Sequence, residues 1–230
     1  MEPPAWYEPA YVDTQLTFSV GVAHFRGSPD ATRFLVGLSP LRRGPLEFGG
    51  SLPYVFVRSP DGAAAGVGDP HVDGRLRLPF PRSWPVGFCL DASARLPMAN
   101  DEVFPYATGA QHVEVSGTLS APSLVHLFIG VGRIFAEPPR NGDLTRSDVP
   151  HSTHVWAACH AAHRAWWVAT RGDLFLFDVD DEVRGIVKLT LGWRNPQAFV
   201  VTFDWSVDLG TQVNRVFDHG PTLRFATPLL

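Results

Sequence analysis

The segment HSTHVWAACHAAHRAWW, His151 to Trp167, holds four of the chain's nine histidines, one of its two cysteines and three of its seven tryptophans. Imidazole and thiol side chains bind metals, form nucleophile–base pairs, or titrate near neutral pH. If residues 155–167 form a helix, 100° per residue puts Trp156, His160, His163 and Trp167 on one stripe. A zinc site needs three or four ligands, and His160 with His163 supplies two. The HExxH spacing, which brings its own general base, is absent. Cys159 and His160 are adjacent, so on a helix or a strand their side chains diverge where a nucleophile and its base must converge. What remains is His160 and His163 packed between indoles, at most a proton-sensitive seam.

Two further stretches invite chemistry. Arg171-Gly172-Asp173 is the integrin-recognition tripeptide, which works when displayed on a mobile loop. Here it runs directly into LFLF, so a tight turn entering a strand is the competing expectation. DVDDEVRG, Asp178 to Gly185, concentrates carboxylates without the order an EF-hand requires. It reads as a solvated hairpin turn. No GxGxxG, GxxxxGK[ST] or GxSxG occurs. No catalytic residue, metal or cofactor is therefore assigned, and a non-enzymatic protein is expected.

The elements that would position these residues are strands. Twenty-one glycines and 21 prolines are spread over 230 residues and punctuate short apolar runs. The runs are 15–25, 33–39, 53–59, 74–80, 86–96, 112–119, 123–135, 165–171, 173–179, 185–193 and 198–209. In HVEVSGTL, Val113 and Val115 oppose Glu114; in VKLTLGW, Val187, Leu189 and Leu191 oppose Lys188 and Thr190. Period two with one polar face indicates an antiparallel sheet packed on one side. The expected fold is an all-β sandwich or jelly roll over 15–230, with at most one or two short helices. Residues 1–14 would form an extended arm, and the stretch 137–152 would be a long loop, the place for a subdivision of the domain.

Composition narrows the classes. A net charge of −4 with scattered arginines argues against a nucleic-acid groove. No apolar run approaches the ~20 residues of a membrane-spanning helix, and the first residues lack a signal-peptide pattern. These features point to synthesis in the cytosol and to no membrane partner. Two cysteines cannot build a disulfide scaffold.

VEVSGTLSAPSLVHLFIGVGRIFAEPP, PHVDGRLRLPFPRSW and NPQAFVVTFDWSVDLG together resemble the coat proteins of picorna-like icosahedral viruses. They match paired strands with a Pro-terminated exit, a loop-to-strand entry and a long late strand. The resemblance implies a jelly-roll structural subunit of a virion, assembling with copies of itself or with sister coat subunits. Trp6 and Tyr7 in the arm would anchor a neighbour, and Arg171-Gly172-Asp173 would be its candidate contact with a cell-surface receptor. The alternative is a β-sandwich recognition module that binds a peptide or glycan through its loops, with Trp84, Trp193 and Trp205 lining the site.

Overall fold

A computed structural model describes residues 15–24, 31–43, 45–59, 62–78, 86–98, 111–121, 125–137, 151–178, 183–195, 199–210 and 219–228. The expected arm, with Trp6 and Tyr7, lies outside these, as do Trp84 and most of 137–152. Every regular element among the described residues is a strand: β1 Gln15–Ala23, β2 Ala31–Arg43, β3 Leu46–Ser59, β4 Gly62–Val67, β5 His71–Leu78, β6 Gly87–Arg95, β7 Gln111–Ala121, β8 His126–Glu137, β9 Ser152–His163, β10 Trp166–Phe177, β11 Val183–Arg194, β12 Val200–Asp208 and β13 His219–Pro228. Neighbours pair antiparallel, β13 pairs with β1, and β2 pairs with β3, so the sheet closes on itself. β4 and β5 are two parts of one wall strand, pairing with the far and near halves of β3 and interrupted at 68–70. The result is a closed barrel of twelve antiparallel wall positions, in place of the expected sandwich or jelly roll.

The strands are strongly tilted. A row of cross-strand partners that leaves Thr17, near one rim, passes through Gly37, Ser51, His71, Arg95 and His112. It arrives at Ala136 beside the opposite rim. Strand spacing of ~4.8 Å and a tilt of ~40° give twelve strands a backbone diameter of roughly 24 Å. At the same tilt, the 12 residues of β11 rise about 30 Å along the axis. Connections at the rim carrying both strand termini are short: 44–45, 79–86, 122–125, 164–165 and 195–199. The other rim has 60–61 and 178–182 as short connections, 24–30 of seven residues, and the three longest of the chain, 96–110, 138–151 and 209–218. Arg164 opens the two-residue turn between β9 and β10 with a φ of 55°, the left-handed conformation that tight hairpins use.

The alternation seen in the sequence is present, but its polarity is reversed. On β11, Leu189 is 53% exposed while Lys188 is 6% and Thr190 1%. The same inversion runs round the ring. Leu127, Ile129, Val131, Val168, Leu174, Phe203 and Leu223 face outward, and Glu114, Thr118, His154, Arg171, Thr202, Asp204 and Arg224 are buried within. Period two specifies that two faces differ; it leaves open which one meets the solvent. Here the apolar face meets the surroundings. Outward aromatic rings lie near both rims, Phe48, Trp166, Phe199 and Phe225 at the terminus end and Phe34, Phe56 and Phe135 at the other, while Phe18, Phe203 and Trp205 stand between them on β1 and β12.

Outward charge is confined to one spot among the side chains described. Arg133 donates to Asp178 at the long-loop rim and to Thr153 Oγ1 at 3.1 Å. That hydrogen bond holds the Asp178 carboxyl below the usual carboxylate range.

If the apolar outer face meets a bilayer, Leu189→Arg, which places a charge at mid-height there, should cost about 2–4 kcal/mol. Urea titration of the bilayer-folded protein measures it. A cost below about 0.5 kcal/mol, the ordinary range for a surface substitution, would contradict a lipid-facing Leu189.

Candidate functional site

Closing the sheet sends every second side chain into the lumen, so the candidate site is the inner wall. The segment His151–Trp167 is neither a helix nor a loop: it is β9, the tight turn at 164–165 and the start of β10. Strand geometry therefore breaks the helical stripe. His160 points inward and stacks on His126 at 4.5 Å and Phe128 at 5.6 Å between ring centroids. His163 lies three residues on, on the outer face, paired across the turn with Trp166. The two are not brought together. Cys159 faces outward and Cys89 inward, both as free thiols. Among the described residues no three His, Cys, Asp or Glu side chains converge as a metal site would require.

Trp156 and Trp167 both point inward, and each indole lies flat on a glycine of the neighbouring strand. Trp156 covers Gly130 on β8, and Trp167 covers Gly192 on β11; a methyl at either glycine would overlap the ring. Arg171 sits over the free face of Trp156, its guanidinium carbon 4.1 Å from the ring centroid. Arg171-Gly172-Asp173 thus occupies the middle of β10, not a loop or a turn. Arg171 and Asp173 face the lumen and pair with each other at 2.6 Å, while Gly172 faces outward with open space beyond it.

Asp173 also joins a cluster that spans three strands. His154 places Nδ1 2.7 Å from Glu114 Oε1 on β7 and Nε2 2.8 Å from Asp173 Oδ1 on β10. Only an imidazolium can donate from both ring nitrogens, and two buried carboxylates facing it supply the matching charge. Phe175 stacks on the ring at 4.4 Å. Between β7 and β9 runs β8, and Glu114 reaches across it because residue 132 is a glycine. A Cβ there would stand 2.6 Å from Ser116 Cβ and 2.9 Å from the Val115 carbonyl oxygen.

Elsewhere the wall carries two groups of charges on opposite sides. On β3, β5 and β6, Arg75 lies between Asp91 (2.5 Å) and Glu47 (3.5 Å), and Arg77 holds Glu47 at 2.7 Å. Thr118 donates to Asp91 at 2.9 Å. On β11, β12 and β13, Asp204 lies between Lys188 (3.3 Å) and Arg224 (2.8 Å), and Thr190 donates to it at 2.6 Å. Arg184 and Asp208 pair above them at 2.6 Å. Sequence reasoning assigned Lys188, Thr190 and Glu114 to a solvated outer face and missed them as a site. Their recurrence at every second position was the available signal, and the assumption of an apolar core reversed its meaning.

No family model and no curated protein matches the sequence. Solved structures do share the fold. An outer membrane channel from Pseudomonas putida F1 superposes with a TM-score of 0.68 at 12% identity, over 99% of each chain. The KdgM porin gives 0.61 at 6% identity, over 94% of this chain and 99% of its own. Outer membrane phospholipase A from Escherichia coli gives 0.50 at 10% identity, over 94% and 92%. With the outward apolar belt, these likenesses overturn several expectations from the sequence: the coat-protein resemblance, the recognition module, the coat-subunit partners, the virion or cytoplasmic location, and the absence of a membrane. The physical reason is that a jelly roll buries its apolar faces between two sheets, whereas this barrel turns its single apolar face outward.

Gly132→Val should cost about 1–3 kcal/mol by overpacking, and Gly172→Val, facing open space, less than about 0.5 kcal/mol. Adding Glu114→Gln to Gly132→Val should cost less than Glu114→Gln alone, because the contact is already broken. A double-mutant cycle by urea unfolding measures the coupling, expected at about 0.5–3 kcal/mol. Strict additivity would mean that Glu114 does not depend on the gap at Gly132.

Proposed function

We propose that the chain is an outer-membrane β-barrel that lets small hydrophilic solutes cross, acting as a passive channel and not as an enzyme. The observation that carries this reading is the inverted polarity of a closed barrel: an apolar exterior around an ion-paired, hydroxyl-rich interior. In hydrocarbon every backbone N–H and C=O must be satisfied within the protein, and a closed barrel does that with strands alone. Outward apolar side chains, rim aromatics, short turns at one end and the longest connections at the other are the pattern of outer-membrane barrels. The P. putida channel and the KdgM porin support the same reading through their shared fold.

The phospholipase shares the fold too, so catalysis on lipid is the reading to weigh against it. An esterase that faces lipid needs a nucleophile beside a base on its outer surface. Among the described side chains no serine faces outward. The outward Cys159 is on a strand whose nearest outward histidine, His163, lies two outward positions away. The outer face therefore favours transport.

Purified protein refolded into planar bilayers should produce stepwise, ohmic conductance increments. Protein that is folded in the bilayer, shown by protease resistance and heat-dependent gel mobility, yet passes no current would sink the channel reading.

A further inference from the structure

The two charged groups of the lumen face each other. In the ring of twelve wall positions β5 lies six places from β11, and β6 six places from β12, so they stand on opposite sides of the barrel. In the first cluster Glu47, Asp73 and Asp91 accompany Arg75 and Arg77, three carboxylates against two guanidiniums. His71 lies 3.8 Å from Asp73, and Arg95 stands four residues beyond Asp91 on the inner face of β6, towards the long-loop rim. In the second cluster, Lys188 and Arg224 flank Asp204: two cations against one carboxylate. One cluster has a guanidinium between carboxylates, the other a carboxylate between cations, so their net signs are opposite. Between the clusters on the β7–β10 side, Glu114 and Asp173 face His154 and Arg171, two carboxylates against one imidazolium and one guanidinium, so that arc carries no net charge. Inner faces between the clusters also include Phe128, Gly130, Gly132 and Ile134 on β8, and Thr17, Ser19 and Gly21 on β1.

We infer that these opposed clusters set a transverse field across the lumen that selects dipolar, zwitterionic solutes, with the cationic end turned to the Asp73 wall and the anionic end to the Lys188 wall. This inference rests on the channel reading above. Lumen charges with low-dielectric walls focus field lines into the passage. A solute with separated charges gains from both walls at once; an ion of one sign gains from one wall and loses at the other. The selected class is therefore a small molecule bearing an ammonium and a carboxylate a few bonds apart.

Alanine and lactamide share one molecular formula, but only alanine is zwitterionic at neutral pH. Their entry rates into proteoliposomes, measured by osmotic swelling, isolate the field from solute size. In the native protein alanine should enter faster relative to lactamide, by about threefold, below the tenfold and more that a full net charge brings. The double variant Asp73→Asn with Lys188→Gln removes one charge from each wall and leaves the net lumen charge unchanged. It should bring the ratio to about one while the potassium–chloride reversal potential stays as it was. Asp73→Asn alone, at a half-exposed position, should lower the ratio part of the way and keeps the test open should Lys188→Gln fail to fold. An unchanged ratio in the folded variants, with lactamide still entering, would overturn the field and leave the channel standing. Failure of both solutes to enter with native protein would overturn the channel reading and this inference with it.

Discussion

Closure is the constraint on which everything else here depends. A sheet in hydrocarbon cannot leave an edge, because each unpaired N–H or C=O there costs several kcal/mol. The pairing of β13 with β1, and of β2 with β3, removes both edges at once. Once the ring is closed, period-two alternation has a fixed meaning: one set of side chains faces outward and the other is confined. The confined set is too polar to lie unpaired, so the lumen is organised by ion pairs and hydroxyls in place of an apolar core. Breaking one such pair would leave a buried charge uncompensated, a loss of roughly 3–5 kcal/mol.

Within that frame, glycine is a spacer as much as a hinge. Gly130, Gly132 and Gly192 lie on inner faces where a larger neighbour passes across the strand. They let Trp156 and Trp167 lie flat against the wall and let Glu114 reach His154 over an intervening strand. The barrel thus links non-adjacent strands by side chains on its inside, in addition to the hydrogen-bonded ladder between neighbours. The outward Gly172 has no such neighbour and no such task.

Much of this was legible in the sequence, and the illegible part has physical causes. The all-β class and antiparallel alternation were visible in HVEVSGTL and VKLTLGW. Reading their apolar face as a core was natural, because strands in a sandwich and strands in a barrel share one period. The length of the runs was the better clue. Two runs of seven residues, 165–171 and 173–179, were read where β10 is one strand of 12, split at Gly172 because a glycine was taken for a turn. Residues 152–163 were withheld from the strand set because two histidines and a tryptophan also fit a helical stripe. The strand 219–228 was missed altogether: HGPTLRFATP opens with a glycine and a proline and looks like a loop. Of the candidate residues, His160, Arg171 and Asp173 do face the lumen. Their partners, His126, Trp156 and His154, are contributed by register and could not be read from local spacing.

The chain contains a single lysine, and the fold sets it inside, 6% exposed on the wall of β11. The barrel's outer surface therefore offers no ε-amino group to the world around it. Reagents that acylate amines will find this side chain only by entering the lumen, so Lys188 is a built-in reporter of access. Its rate of modification would measure how freely the interior is reached from bulk water.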